Sequence, residues 1–131
     1  LDQVLWPTHC VTGTEGAEFV GGLKQDKWNA IFKKGVDARV DSYSGFYDNG
    51  HLRGTGLDEY LQEHGIQQVY ILGVATDYCV QHTALDAYDL GYETYLIEDA
   101  CRGVDLKPGD VKQAYKQMKQ EGVQLVTSNE I

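Results

Sequence analysis

From Val69 to Thr127 the chain alternates apolar runs of strand length with segments of helical period, and glycines punctuate the changes. That alternation constrains the fold more than any other feature. Val69-Tyr70-Ile71-Leu72 is a continuous apolar run, as expected of a strand covered on both faces. From Cys79 to Leu90 the positions Val80, Ala84, Ala87 and Tyr88 share one helical face, and Gly91 closes the segment. Glu93 to Ile97 reads as the next strand. Pro108 opens a helix from about Gly109 to Glu121, with Val111, Ala114, Tyr115 and Met118 on one face and Gly122 at its end. Val123 to Thr127 makes a last strand.

Upstream, Asn29 to Gly35 reads as a short strand. Thr55 to Gly65 reads as a helix that Thr55 caps and Gly65 ends. The order β, long loop, α, β, α, β, α, β predicts an α/β fold. Its parallel sheet has right-handed crossovers and helices on both faces. Residues 36–54 are rich in Gly, Asp and Ser, and a loop of that length in a compact domain is functional or mobile.

At 131 residues the chain has room for one α/β domain with a real core and too little for two. The formal charge of −9 repels nucleic acid and anionic membrane surfaces, so neither is an expected partner. No apolar stretch approaches the roughly 18 residues that a membrane helix needs. The three cysteines, Cys10, Cys79 and Cys101, include no C-x-x-C pair. A disulfide framework or cysteine zinc site is therefore not expected, and a reducing, cytoplasmic compartment fits. Leu1 to Leu5 contain neither an initiator Met nor a signal-peptide layout, so the chain is expected to be a piece of a longer one.

The chemistry points to Cys79. It follows an apolar run and a short break, Gly73-Val74-Ala75-Thr76-Asp77-Tyr78, and stands at the mouth of an amphipathic helix. Unpaired backbone N–H groups and the positive end of the helix dipole favour a thiolate there. In open α/β sheets ligands bind beyond the carboxyl ends of the strands, which gathers Lys34 and Cys79 at one edge. Asp77 reads as a cap or a partner of a nearby group, and Cys10 and Cys101 read as structural. Asp99 and Arg102 are candidates for electrostatic support near the site. His51, His64 and His82 carry no assigned role.

Three segments together resemble the nicotinamidase branch of the isochorismatase-like cysteine hydrolase superfamily. They are Leu5-Trp6-Pro7-Thr8-His9-Cys10, then Phe32-Lys33-Lys34-Gly35 continuing to Asp41-Ser42-Tyr43, and Gly73-Val74-Ala75-Thr76-Asp77-Tyr78-Cys79-Val80. The resemblance runs over essentially the whole chain. It implies a three-layer α/β/α fold and hydrolysis of nicotinamide to nicotinate and ammonia in NAD salvage, with pyrazinamide as a second substrate. It implies that Cys79 is the nucleophile and Lys34 the catalytic lysine. A cis peptide between Val74 and Ala75 would aim the Ala75 N–H, with that of Cys79, at the oxyanion. Trp6, Tyr43, Val74, Ala75 and Tyr78 would line the substrate pocket. His9 would be one ligand of a divalent metal (zinc, iron or manganese). The family's catalytic Asp and remaining metal ligands precede these motifs, so the resemblance implies an absent N-terminal part as partner. It leaves a homo-oligomer open.

Two rivals stand beside this reading. One is another amidase of the superfamily, acting on N-carbamoyl or ureido groups, which lacks the Trp-Pro-x-His motif. The other is a non-catalytic, truncated remnant.

Overall fold

The computed structural model describes residues 2–131 in two compact units, one ending at Ile31 and the other running from Phe32 to Ile131. Among its described residues the first unit has a single 3-10 turn, Glu15–Ala17, and none that is buried. Its Phe19 and Trp28 rings meet edge to face at 4.8 Å.

The second unit holds the regular structure. Helix α1 spans Leu57–Glu63, strand β1 Gln68–Val74, helix α2 Gln81–Asp89, strand β2 Glu93–Arg102, helix α3 Asp110–Glu121 and strand β3 Gln124–Val126. Gly56, not the expected Thr55, is the N-cap of α1, and the Thr55 hydroxyl one residue earlier accepts the Leu57 N–H at 3.2 Å. Gly65 follows α1 in the left-handed conformation. No helix among the described residues is long and apolar enough to cross a membrane.

The three strands are parallel in the order β1-β2-β3. Tyr70 faces Tyr95 and Ile71 faces Leu96, but beyond Ile71 the register breaks, so that Gly73 meets Cys101. The α/β class holds. Among the described residues the helices lie on one face of the sheet. Val69, Ile71 and Leu96 pack with α1, α2 and α3, through Leu57 and Leu61, Ala84 and Ala87, and Ala114 and Met118. On the other face Tyr70, Leu72 and Val74 are exposed. The cause is strand order: crossovers that advance in one direction, all right-handed, put their helices on the same side. Alternation alone does not distinguish that case from a sheet wound both ways.

Residues 29–35 form no strand. A strand needs a neighbour to satisfy its backbone, and none of the three strands pairs with this segment. The 36–54 segment is more ordered than its composition suggests. Ser42, Ser44 and Phe46 are buried, and Phe46 joins Ala87 and Tyr92 in the core. The Asp48 carboxylate accepts the N–H groups of Gly50, Leu52 and Arg53 at 2.8 to 3.1 Å and closes the loop on itself.

Candidate active site

β1 ends at Gly73-Val74, where Gly73 has φ +120° and the Val74–Ala75 peptide is cis. A side chain is poorly tolerated at that φ, which accounts for glycine there. The chain then winds into a single π-helical turn, Thr76–Val80, before α2 begins at Gln81. Val80 N–H bonds to Ala75 O at 3.0 Å, the i to i−5 pattern of such turns. Cys79 therefore sits inside a wide turn and not at the first residue of an ordinary helix, and it is half-buried.

Asp77 fixes this turn from below. It is buried, and its carboxylate accepts the Val104 N–H at 2.9 Å and the Asp105 N–H at 2.8 Å. Its bonding capacity is directed at the loop after β2, in keeping with a structural reading. Gly103 makes the approach possible: a Cβ there would lie 2.2 Å from Val111 and 3.1 Å from the Asp77 carboxylate.

Lys34 reaches Cys79 from the other side. Phe32 rests edge-on against Tyr60 of α1, with ring centres 5.2 Å apart. Two residues later the Lys34 Nζ donates to Cys79 Sγ at 3.4 Å and to Ser42 O at 2.7 Å. The contact places a basic side chain directly against a sulfur that can act as a nucleophile toward carbonyl carbon. Tyr43 and Tyr78 meet edge to face at 5.5 Å, and Tyr43 also lies 5.3 Å from the His82 ring. Lys34, Tyr43, Val74, Ala75, Tyr78 and Cys79 thus all belong to the second unit, and Trp6 and His9 to the first.

Several candidates stand elsewhere. Asp99 accepts the Ser128 N–H at 2.8 Å and the Ser128 hydroxyl at 2.6 Å, and these bonds hold its carboxyl below the usual range. It ties β2 to the C-terminal turn. Arg102 donates to Cys101 O at 2.6 Å. Cys101 is buried, and burial pushes its thiol up. Cys10 is exposed. Sequence reading gave no role to Ser42, whose carbonyl accepts the Lys34 ammonium, or to Thr83, whose hydroxyl donates to Cys79 O. Only the Thr at four residues past Cys79 hinted at one of them.

The residues present do not by themselves fit a divalent metal. Among the described residues no group of three His, Cys, Asp or Glu comes together. His9 Nδ1 lies 2.5 Å from Pro7 O, a contact within its own turn of chain.

With this geometry, the chain belongs to the isochorismatase family: the isochorismatase domain model matches residues 1–130. It is 46% identical over 127 residues to a nicotinamidase of Escherichia coli, covering 97% of this chain and 60% of that protein. A solved nicotinamidase/pyrazinamidase from Acinetobacter baumanii is 48% identical with a TM-score of 0.94, covering 98% of this chain and 61% of that one. PnC1 from L. infantum, in complex with nicotinate, is 37% identical with a TM-score of 0.90, covering 95% of this chain and 62% of that one. A pyrazinamidase of Pyrococcus horikoshii in complex with zinc is 42% identical with a TM-score of 0.79, covering 94% and 63%. The chain spans about 60% of the length of the curated relatives it matches.

Proposed function

We propose that the whole protein hydrolyses nicotinamide to nicotinate and ammonia, with pyrazinamide as a second substrate, and serves NAD salvage in the cytoplasm. The observation that carries the reading is the Lys34 ammonium 3.4 Å from Cys79 Sγ at a strand-to-helix corner. The 46% identity to a nicotinamidase supports the same substrate class. The single family match running through both units supports treating 1–131 as part of one hydrolase domain.

In this mechanism Cys79 Sγ attacks the carboxamide carbon. A C–S bond forms and the carbonyl π electrons move to oxygen, where the N–H groups of Ala75 and Cys79 receive the charge. The C–N bond breaks as an acid outside this set protonates the leaving nitrogen, and ammonia departs. Water then attacks the thioester carbon while the same group, now a base, takes its proton and is restored as the acid; the C–S bond breaks and nicotinate and the Cys79 sulfur are released. Lys34 holds the thiolate through both steps. Tyr43, Val74 and Tyr78 of the second unit confine the flat ring. A divalent metal (zinc, iron or manganese) is proposed as cofactor with His9 as one ligand, since a 42%-identical pyrazinamidase binds zinc. The remaining ligands and the acid would come from the N-terminal part of the same enzyme. A homo-oligomer is compatible with this reading.

Ammonia release from nicotinamide by the full-length protein tests the proposal. Cys79→Ala should lower turnover by more than about 10³-fold while the fold is kept. Retained turnover would reject Cys79 as nucleophile. Turnover of an N-carbamoyl substrate in place of nicotinamide would favour the rival amidase.

A further inference from the structure

Cys79 is bonded at two points, its sulfur and its own carbonyl, and both lead to the same loop. From the sulfur, Lys34 Nζ continues to Ser42 O at 2.7 Å. Ser42 is buried, and its hydroxyl lies 3.1 Å from Ser44 O and 3.0 Å from Tyr47 O, which locks the turn it begins. From the carbonyl, Cys79 O accepts the Thr83 hydroxyl at 2.6 Å. The same Thr83 oxygen accepts the Gly45 N–H at 2.8 Å. On its other side, Gly45 O accepts the Thr55 hydroxyl at 2.6 Å. The bonds close a circuit: sulfur, ammonium, Ser42 carbonyl, the 42–45 turn, Thr83 and the carbonyl of Cys79.

A threonine in a helix often donates to the carbonyl four residues back, and that bond alone means little. Here the oxygen also takes an N–H from 38 residues away, in the turn that positions the lysine. One hydroxyl has one proton to donate and lone pairs to accept, and Thr83 uses both functions.

We propose that Thr83 is a positioning residue: by pinning the 42–45 turn to the carbonyl of Cys79, it sets the Lys34 ammonium against the sulfur. This rests on Cys79 and Lys34 being the reacting pair, and it deepens that reading. Thr83 itself touches no reacting atom.

Peptide-resolved iodoacetamide labelling of Cys79 across pH tests it on the full-length protein, without turnover. A failed amidase reading is therefore distinguishable from a failed Thr83 role. Thr83→Val keeps the shape and removes the hydroxyl. It should move the labelling profile to higher pH and slow labelling near neutrality by about threefold or more. Thr83→Ser should restore the wild-type profile. Lys34→Gln should move the profile the same way, and adding Thr83→Val to it should change little further. Hydrogen exchange at Gly45 in the unmutated protein gives a second measure that needs no variant to fold; slow exchange is expected. An unchanged profile in a folded Thr83→Val protein, additivity with Lys34→Gln, or rapid exchange at Gly45 would each overturn the proposal.

Discussion

The two faces of β1 carry equally apolar side chains in unequal surroundings. Val69 and Ile71 lie under α1 and α2, while Tyr70 and Leu72 on the opposite face are 42% and 57% exposed. Tyr70 stacks on Tyr95 across the strand pair at 4.7 Å, which shelters part of that face with another aromatic ring. The difference shows that hydrophobicity along a strand does not say which face is covered. The covered face also fixes the site: α2 continues from the turn that holds Cys79, and Phe46 ties the Ser42 loop into the same core.

The contrast breaks most readily in the covered core. Leu96 is fully buried beneath the helices. Leu96→Ala should cost about 2–5 kcal/mol in urea unfolding, as a core truncation with a residual cavity does. A loss under about 1 kcal/mol would mean the covered face is loosely packed.

A smaller effect is expected at Tyr92, which binds α1 to the core by donating to Asp58 Oδ1 at 2.6 Å. Tyr92→Phe should cost about 1.5–3 kcal/mol, the range for a hydrogen bond to a charged group. Burial, with the Asp58 bond, pushes the phenol up to about 12. The folded state therefore holds its proton where the unfolded state has released it. The Tyr92 contribution is complete below the unfolded value of about 10 and fades as pH rises towards about 12. The stability gap between wild type and Tyr92→Phe should narrow over that interval; a constant gap would contradict the assignment.

The exposed face sharpens the comparison through a near-null result. Leu72→Ala should change stability by no more than about 0.5 kcal/mol. A cost above about 2 kcal/mol in the full-length protein would mean that this face is covered there as well.

Much of this architecture was legible from residue order. The apolar run at Val69, the helical face through Ala84 and Ala87, and the face through Ala114 and Met118 each became the predicted element, because their periods match the geometry that buries them. The strand expected at residues 29–35 did not form, since pattern cannot supply a pairing partner. The side on which the helices lie depends on strand order, which periodicity does not encode. The surroundings of Cys79 were half readable. The strand-end rule and the segment around Lys34 pointed to that lysine, but the Thr83 bond joins a helix to a loop 38 residues away. The fold buries Ser42 and gives the Thr83 hydroxyl two backbone partners, and neither outcome can be read from residue order.

The central claim is that the Cys79 sulfur attacks the amide carbon and carries the acyl group. Acid-quenching the full-length protein during turnover of nicotinamide, followed by peptide-resolved mass spectrometry, tests it directly. The account predicts a pyridine-carbonyl thioester on Cys79, with Cys10 and Cys101 unmodified, and no adduct in Cys79→Ala. Continued turnover by that variant, or an acyl group found only on another residue, would contradict it.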